Sequence, residues 1–187
     1  MTPLLEAALG LQTFFRRREW RSCIIGGIAV LRWGEPRFTR DVDVSLLTGF
    51  GREDDFIAPL LAAGYRGRIV DSADFARRNR VLLLAAPNGV PIDIALAALP
   101  FEEEMVDRAS MFEFAPGCGL QTCSAEDLLV LKLFAFRPRD LLDAETVTAR
   151  QRGKLDWDYI HRRLGPLAEA KNQPEMMEFL GKLRRLP

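Results

Sequence analysis

Apolar positions change period along the chain, and each change marks an element. From Leu4 to Trp20 the spacing is helical, with Leu5, Leu9, Phe14 and Phe15 on one side and Arg16 to Arg18 in the last turn, where cations suit the helix dipole. Cys23-Ile24-Ile25 reads as a short strand running into Gly26-Gly27, and Ile28 to Trp33 as a short helix ending near Gly34. After the breaker Gly34-Glu35-Pro36, polar and apolar residues alternate cleanly from Asp41 to Leu47. That alternation predicts a half-buried strand with Val42, Val44 and Leu46 toward a core.

Asp54 to Ala63 predicts a second helix closed by Gly64, and Ser72 to Arg78 a short basic one. Two apolar runs, Val81 to Ala86 and Val90 to Leu96, flank Pro87-Asn88-Gly89, which is a hairpin signal. Phe101 to Arg108 reads as an acidic helix, Met111 to Phe114 as a strand, and Gly117-Cys118-Gly119 as a turn. Ser124, with Asp127 three residues on, opens a strongly apolar helix that Pro138 interrupts. Asp140 to Ala149, Trp157 to Ala170 and Pro174 to Leu186 are expected to be helices. The fold class is therefore α/β (α+β): a mixed sheet with flanking helices over residues 1–123, then a C-terminal helical region, 124–187, packed on it.

Composition narrows the chemistry. The 187 residues carry 26 Lys+Arg against 26 Asp+Glu, so a binder that relies on overall positive charge is not expected. There is one histidine, His161, in a helical setting, and three cysteines, Cys23, Cys118 and Cys123, without CxxC spacing. Neither a zinc finger nor a His-dependent triad is expected from that inventory. Reduced thiols, arginines that follow rather than precede the first apolar residues, and no run of about 20 apolar residues together suggest a cytoplasmic protein without membrane attachment. Carboxylates are left to carry any catalysis.

Asp41 and Asp43 lie two apart on the alternating strand and so share a face. Close carboxylates repel unless a cation compensates, and Mg²⁺ prefers such oxygen ligands. A pair of solvated aspartates on a wet sheet face would present the same tripeptide. Asp93 is the charged residue of the otherwise apolar Val90 to Leu96 strand. If the two strands are neighbours, three carboxylates converge as a two-metal phosphoryl-transfer site requires. Gly26-Gly27, between strand and helix, would let a phosphate approach backbone N–H groups. Lys132 is the charged residue between Asp127 and Arg137 on a helix apolar nearly all round. It needs a counter-charge or a route to solvent, and Asp140 and Asp143, three apart, could orient it or Arg137. Arg77, Arg78 and Arg80, with Arg66 and Arg68, are either a solvated surface or a guide for a polyanion such as RNA.

Ile25-Gly26-Gly27-Ile28-Ala29 followed by Arg37-Phe38-Thr39-Arg40-Asp41-Val42-Asp43-Val44 resembles the signature of the DNA polymerase β-type nucleotidyltransferase superfamily. The Arg-x-Thr-x-Asp-x-Asp form is similar to the branch of minimal nucleotidyltransferases, antibiotic nucleotidyltransferases and abortive-infection-type toxins. Glu126 to Arg137, then Arg139-Asp140-Leu141-Leu142-Asp143, resembles the helical motif of the toxin branch. The resemblance implies a nucleotidyltransferase core and transfer of a nucleoside monophosphate from an NTP such as ATP, with pyrophosphate released. It implies Mg²⁺ or Mn²⁺ on Asp41, Asp43 and Asp93, with Asp93 also helping to deprotonate the acceptor hydroxyl. Nucleotide binding would fall to Gly26, Gly27, Arg37, Thr39, Arg40, Lys132, Arg137, Asp140 and Asp143, with Lys132 counted among the catalytic residues. The acceptor would be tRNA or protein, with a cognate antitoxin as partner, or a small hydroxylated molecule as in the antibiotic-modifying branch. A protein of this fold that binds nucleotide without catalysis is the remaining alternative.

Overall fold

The computed structural model describes residues 1–186. In chain order the elements are α1 (Pro3–Arg16), β1 (Ser22–Ile24), α2 (Gly26–Trp33), β2 (Val42–Leu47), α3 (Asp54–Ala62), β3 (Arg66–Gly67), α4 (Ser72–Asn79), β4 (Val81–Ala85) and β5 (Pro91–Ala97). They continue with α5 (Pro100–Asp107), β6 (Ser110–Ala115), β7 (Cys118–Thr122), α6 (Ala125–Ala135), α7 (Pro138–Arg150), α8 (Trp157–Lys171) and α9 (Glu175–Arg184). Two compact units emerge among the described residues: 1–28 with 38–123, and 29–37 with 124–186.

The first unit holds a seven-stranded sheet in the order β3-β4-β5-β2-β1-β7-β6. The pairs β2/β5 and β1/β7 are parallel and the other four antiparallel, so the sheet is mixed. Alternation decides its faces. Val42, Val44 and Leu46 of β2, Ile92, Ile94 and Leu96 of β5, and Leu82 and Leu84 of β4 are all buried in one core with Leu11 and Phe15 of α1. Burying such a side chain contributes roughly 1.5–3 kcal/mol relative to exposure, so a one-residue register slip in β2 would expose three of them. The opposite face of β2 and β5 presents Asp43 and Asp93, both half-buried.

The hairpin expected at Pro87-Asn88-Gly89 joins β4 to β5, with Gly89 at φ +85° and the Ala86 N–H donating to the Val90 carbonyl. Gly117-Cys118-Gly119 is not the turn that its glycines suggest. Cys118 and Gly119 begin β7, whose Cys118, Leu120 and Thr122 are buried in alternation. The turn sits earlier, with Gly117 at φ +74°. Gln12 of α1 fixes β7 from the side: its Nε2 donates to the Gly119 carbonyl at 2.9 Å, and its Oε1 accepts from the Gln121 N–H at 2.6 Å. All three cysteines are free and buried.

In the second unit, α6 to α9 pack through Leu128, Leu129 and Leu133, Ala144 and Val147, Ile160 and Leu164, and Met176 and Leu180. Ser124 caps α6: the Asp127 N–H donates to its Oγ at 3.1 Å, and that hydroxyl donates to Asp127 Oδ2 at 2.6 Å. The other oxygen of the fully buried Asp127 accepts from the Tyr159 hydroxyl at 2.6 Å, which ties α6 to α8. No helix among the described residues is long and apolar enough to cross a membrane.

Candidate active site

In-register pairing of two parallel strands builds the acidic cluster. Asp43 on β2 lies level with Asp93 on β5, and Asp41 precedes β2 by one residue on the same side. A carboxylate oxygen from each of the three lies within 4.8 Å of the others. The neighbourhood that the sequence made conditional on strand order is therefore present.

Each carboxylate is held differently. The Thr39 hydroxyl donates to Asp41 Oδ1 at 3.1 Å. The Gly27 N–H, at the start of α2, donates to Asp43 Oδ2 at 3.2 Å, and the Asp43 carbonyl accepts from the Ile25 N–H at 2.9 Å. Asp93 pairs with the guanidinium of Arg68. Burial, opposed by Arg68 and assisted by the charge of Asp41, pushes the Asp93 carboxyl above its usual range.

The two glycines are explained by what faces them. Gly26 has φ +60°, and a Cβ there would collide with the Asp43 carboxylate; a Cβ on Gly27 would collide with the Thr39 hydroxyl. Only glycine allows the start of α2 to come this close to the strand that bears the carboxylates. Gly26 and Gly27 belong to α2 itself, so the helix starts two residues earlier than its apolar pattern indicates. Arg40, beside Asp41, places its guanidinium 5.5 Å from the ring centre of the exposed Phe38.

Lys132, Asp140, Asp143, Arg37 and Arg137 form one network inside the second unit. Lys132 Nζ lies 2.8 Å from Asp140 Oδ1 and 2.8 Å from Asp143 Oδ2, and the three side chains are almost wholly buried. Arg37 clasps Asp143 with two bonds, 2.6 Å from Nε and 2.7 Å from a terminal nitrogen, and Arg137 Nε donates to Asp140 at 2.6 Å. The lysine thus finds its counter-charge within the protein, and it does not snorkel to solvent.

Burial, the largest single influence on Asp140 and Asp143, works against their charged forms. Arg137 and Lys132 acting on Asp140, and Arg37 and Lys132 acting on Asp143, outweigh it and hold both carboxyls below the ordinary range. A carboxyl depressed in the folded state stabilises the fold above its unfolded value of about 4 and loses that contribution as pH falls through the folded value. The melting temperature is accordingly expected to fall on acidification below about pH 4, less steeply in Asp143→Asn than in wild type. Equal slopes in a melting series from pH 7 to pH 3 would remove the network from the acid response.

The basic cluster around α4 is largely engaged. Arg77 pairs with Asp54 and Asp74, and Arg80 with Glu53. Composition groups Arg68 with them, but its pairing with Asp93 has no local signal, because strand order creates it. The buried Asp127–Tyr159 bond was equally invisible, its partners being 32 residues apart.

Two solved structures share this architecture at low sequence identity. The antigenic nucleotidyltransferase-like protein from Paracoccidioides brasiliensis superposes with a TM-score of 0.53 at 15% identity, over 95% of this chain and 92% of its own. The lincosamide antibiotic adenylyltransferase LnuA, in its lincomycin-bound form, gives 0.52 at 15% identity, over 77% of this chain and 96% of its own. The fold is therefore nucleotidyltransferase-like. Among curated protein sequences none matches significantly. The model of the nucleotidyl transferase AbiEii toxin family, of type IV toxin–antitoxin systems, matches residues 23–157, a span containing both the carboxylate triad and the Lys132 network. With well over half of its length so matched, the chain belongs to the AbiEii nucleotidyltransferase toxin family, and it is a nucleotidyltransferase.

Proposed function

We propose that this enzyme moves a nucleoside monophosphate from an NTP to an acceptor hydroxyl, with a divalent metal, Mg²⁺ or Mn²⁺, held by Asp41, Asp43 and Asp93. The observation that carries this reading is the convergence of three half-buried carboxylates, with an oxygen from each within 4.8 Å of the others, on the sheet face opposite the core. Hard oxygen donors at that separation suit Mg²⁺, which keeps positions for triphosphate oxygens. When bound, such an ion supplies charge neutralisation at the reacting phosphate and acidifies the attacking hydroxyl.

The protein's own groups do the rest by position. The Gly27 N–H and the Thr39 hydroxyl fix Asp43 and Asp41 before substrate arrives, so no reorganisation is needed at the moment of reaction. Asp93 is assigned to accept the proton of the acceptor hydroxyl on its carboxylate. Gly26 and Gly27, packed against Asp43 and Thr39, keep the start of α2 beside the carboxylates, and that helix end together with Arg40 is assigned to the triphosphate. Family membership supports the further reading that the acceptor is tRNA or protein, and that a cognate antitoxin restrains the activity.

Incubation of the chain with each labelled NTP, Mg²⁺, total RNA and total protein tests this reading. Label is expected in RNA or protein, and is expected to vanish in Asp41→Asn/Asp43→Asn. Label confined to a small hydroxylated molecule would move the acceptor to the antibiotic-modifying class, and nucleotide binding without transfer would make the chain a binding protein of this fold.

A further inference from the structure

On the face of the sheet that bears the acidic site, a row of level residues runs two strands beyond that site, across β4 to the end of β3. Asp43 on β2 is level with Asp93 on β5, and Asp93 with Leu83 on β4. The backbone N–H of Arg68, the residue after β3, donates to the Leu83 carbonyl at 3.0 Å. Residues level on neighbouring strands share a face, so the sheet delivers Arg68 to the same side as the carboxylates. Its guanidinium reaches past Leu83 to Asp93 Oδ1. The two side chains are 32% and 33% exposed, so water and ions reach the pair.

A guanidinium and a divalent cation compete for the oxygens of Asp93. While no metal is present, Arg68 neutralises one of three clustered negative charges that would otherwise repel one another. A metal on Asp93 reverses that relation, because the guanidinium then faces a like charge. Two other arginines near this edge are engaged elsewhere: Arg77 is turned to Asp54 and Asp74, and Arg80 to Glu53.

We propose that Arg68 is the resting counter-ion of Asp93, holding the third carboxylate in place until a divalent cation enters with the nucleotide and displaces it. Metal alone must break the ion pair with nothing to offer the released guanidinium. Metal that arrives with a triphosphate brings phosphate oxygens that accept charge-assisted bonds from it. Arg68 thereby couples metal occupancy to nucleotide occupancy. It is a positioning residue, acting through Asp93, and the inference rests on the metal reading proposed above.

Mn²⁺ binding to the full chain, followed by electron paramagnetic resonance with and without a non-hydrolysable NTP analogue, tests both. Without nucleotide, Arg68→Gln is expected to bind Mn²⁺ more tightly than wild type by up to about fivefold, the scale of a partly exposed ion pair. Arg68→Lys, which keeps the charge, is expected to stay near wild type. With the analogue, the advantage of Arg68→Gln is expected to shrink, because the triphosphate has lost its guanidinium partner. In turnover the Mg²⁺ concentration for half-maximal rate is expected to fall in Arg68→Gln. Equal Mn²⁺ affinity in wild type and Arg68→Gln overturns the inference and leaves the metal reading standing. Weaker binding in Arg68→Gln also overturns it, making Arg68 a brace for the triad. Absence of Mn²⁺ binding in every variant, with the analogue present, overturns the metal reading and the inference together.

Discussion

Asp93→Asn is expected to lose nucleotide transfer by at least about 10²–10³-fold, the scale on which removal of one preorganised transition-state group acts, while the metal-free protein melts no lower than wild type. The two halves of that result have separate causes. Asp93 is one of three converging oxygen donors and the assigned proton acceptor, so an amide there removes both a charge and a base. The stability half follows from the raised proton affinity of its carboxyl. A carboxyl pushed up in the folded state costs the fold stability wherever it is ionised, and that cost disappears as pH falls through the folded value. The neutral amide removes it at pH 7. Arg68 loses a partner in the exchange, but its side chain is 32% exposed and water solvates it. Transfer assays beside thermal melts of the metal-free protein check the pair. A lower melting point with near-normal transfer would make Asp93 a scaffold residue and leave two carboxylates at the site.

Lys132→Met is expected to destabilise the protein by about 3–5 kcal/mol, the cost of breaking a buried ion pair from one side. That corresponds to a melting point lower by roughly 6–20 °C for a chain of this size. The isosteric swap preserves packing, so the loss is electrostatic. Asp140 and Asp143, 2% and 3% exposed, would each lose a bond of 2.8 Å and stay buried with Arg137 and Arg37 as their remaining partners. Adding Asp140→Asn to Lys132→Met should recover part of the loss, since a neutral amide needs no ammonium. A melting point within 2 °C of wild type for the single variant, on the same scale, would show that the two arginines alone suffice. This outcome separates a role in the fold from a role in nucleotide binding. If nucleotide affinity falls in a variant pair with restored stability, the lysine does both.

Much of the architecture is legible locally. Alternation from Asp41 to Leu47 is enough to turn Val42, Val44 and Leu46 inward and Asp43 outward, because successive strand side chains point to opposite faces whatever lies beside them. Ser124 with Asp127 announces the start of α6, since a hydroxyl and a carboxylate can satisfy the free groups of a helix end without help from elsewhere. Pro138 reads as a break with the next helix from Asp140, whereas it is itself the first residue of α7, where it has no N–H to leave unsatisfied. Gly89 turns the β4–β5 hairpin as its local sequence predicts, but at Gly117-Cys118-Gly119 local logic misplaces the turn. Gly119 lies inside β7 because Gln12 of α1 bonds its carbonyl and the strand's alternate residues are buried, a tertiary cause that overrides glycine's weak strand preference.

The site divides along the same line. The sequence alone determined which residues carry charge on which face: Asp41 and Asp43 together, Asp93 isolated in an apolar strand, Lys132 in an apolar helix. It also determined the resemblance that links them. Only the tertiary structure decided the partners. The order β4-β5-β2 and the register Asp43 to Asp93 bring the carboxylates together across 50 residues of chain. The addition of β3 at the edge brings Arg68 to Asp93, and the packing of α6 with α7 gives Lys132 its two aspartates. The physical reason is range. Periodicity and capping act over a few residues and are written in consecutive positions, whereas strand order and register minimise the free energy of the whole core. The charges on its rim take whatever neighbours that packing assigns.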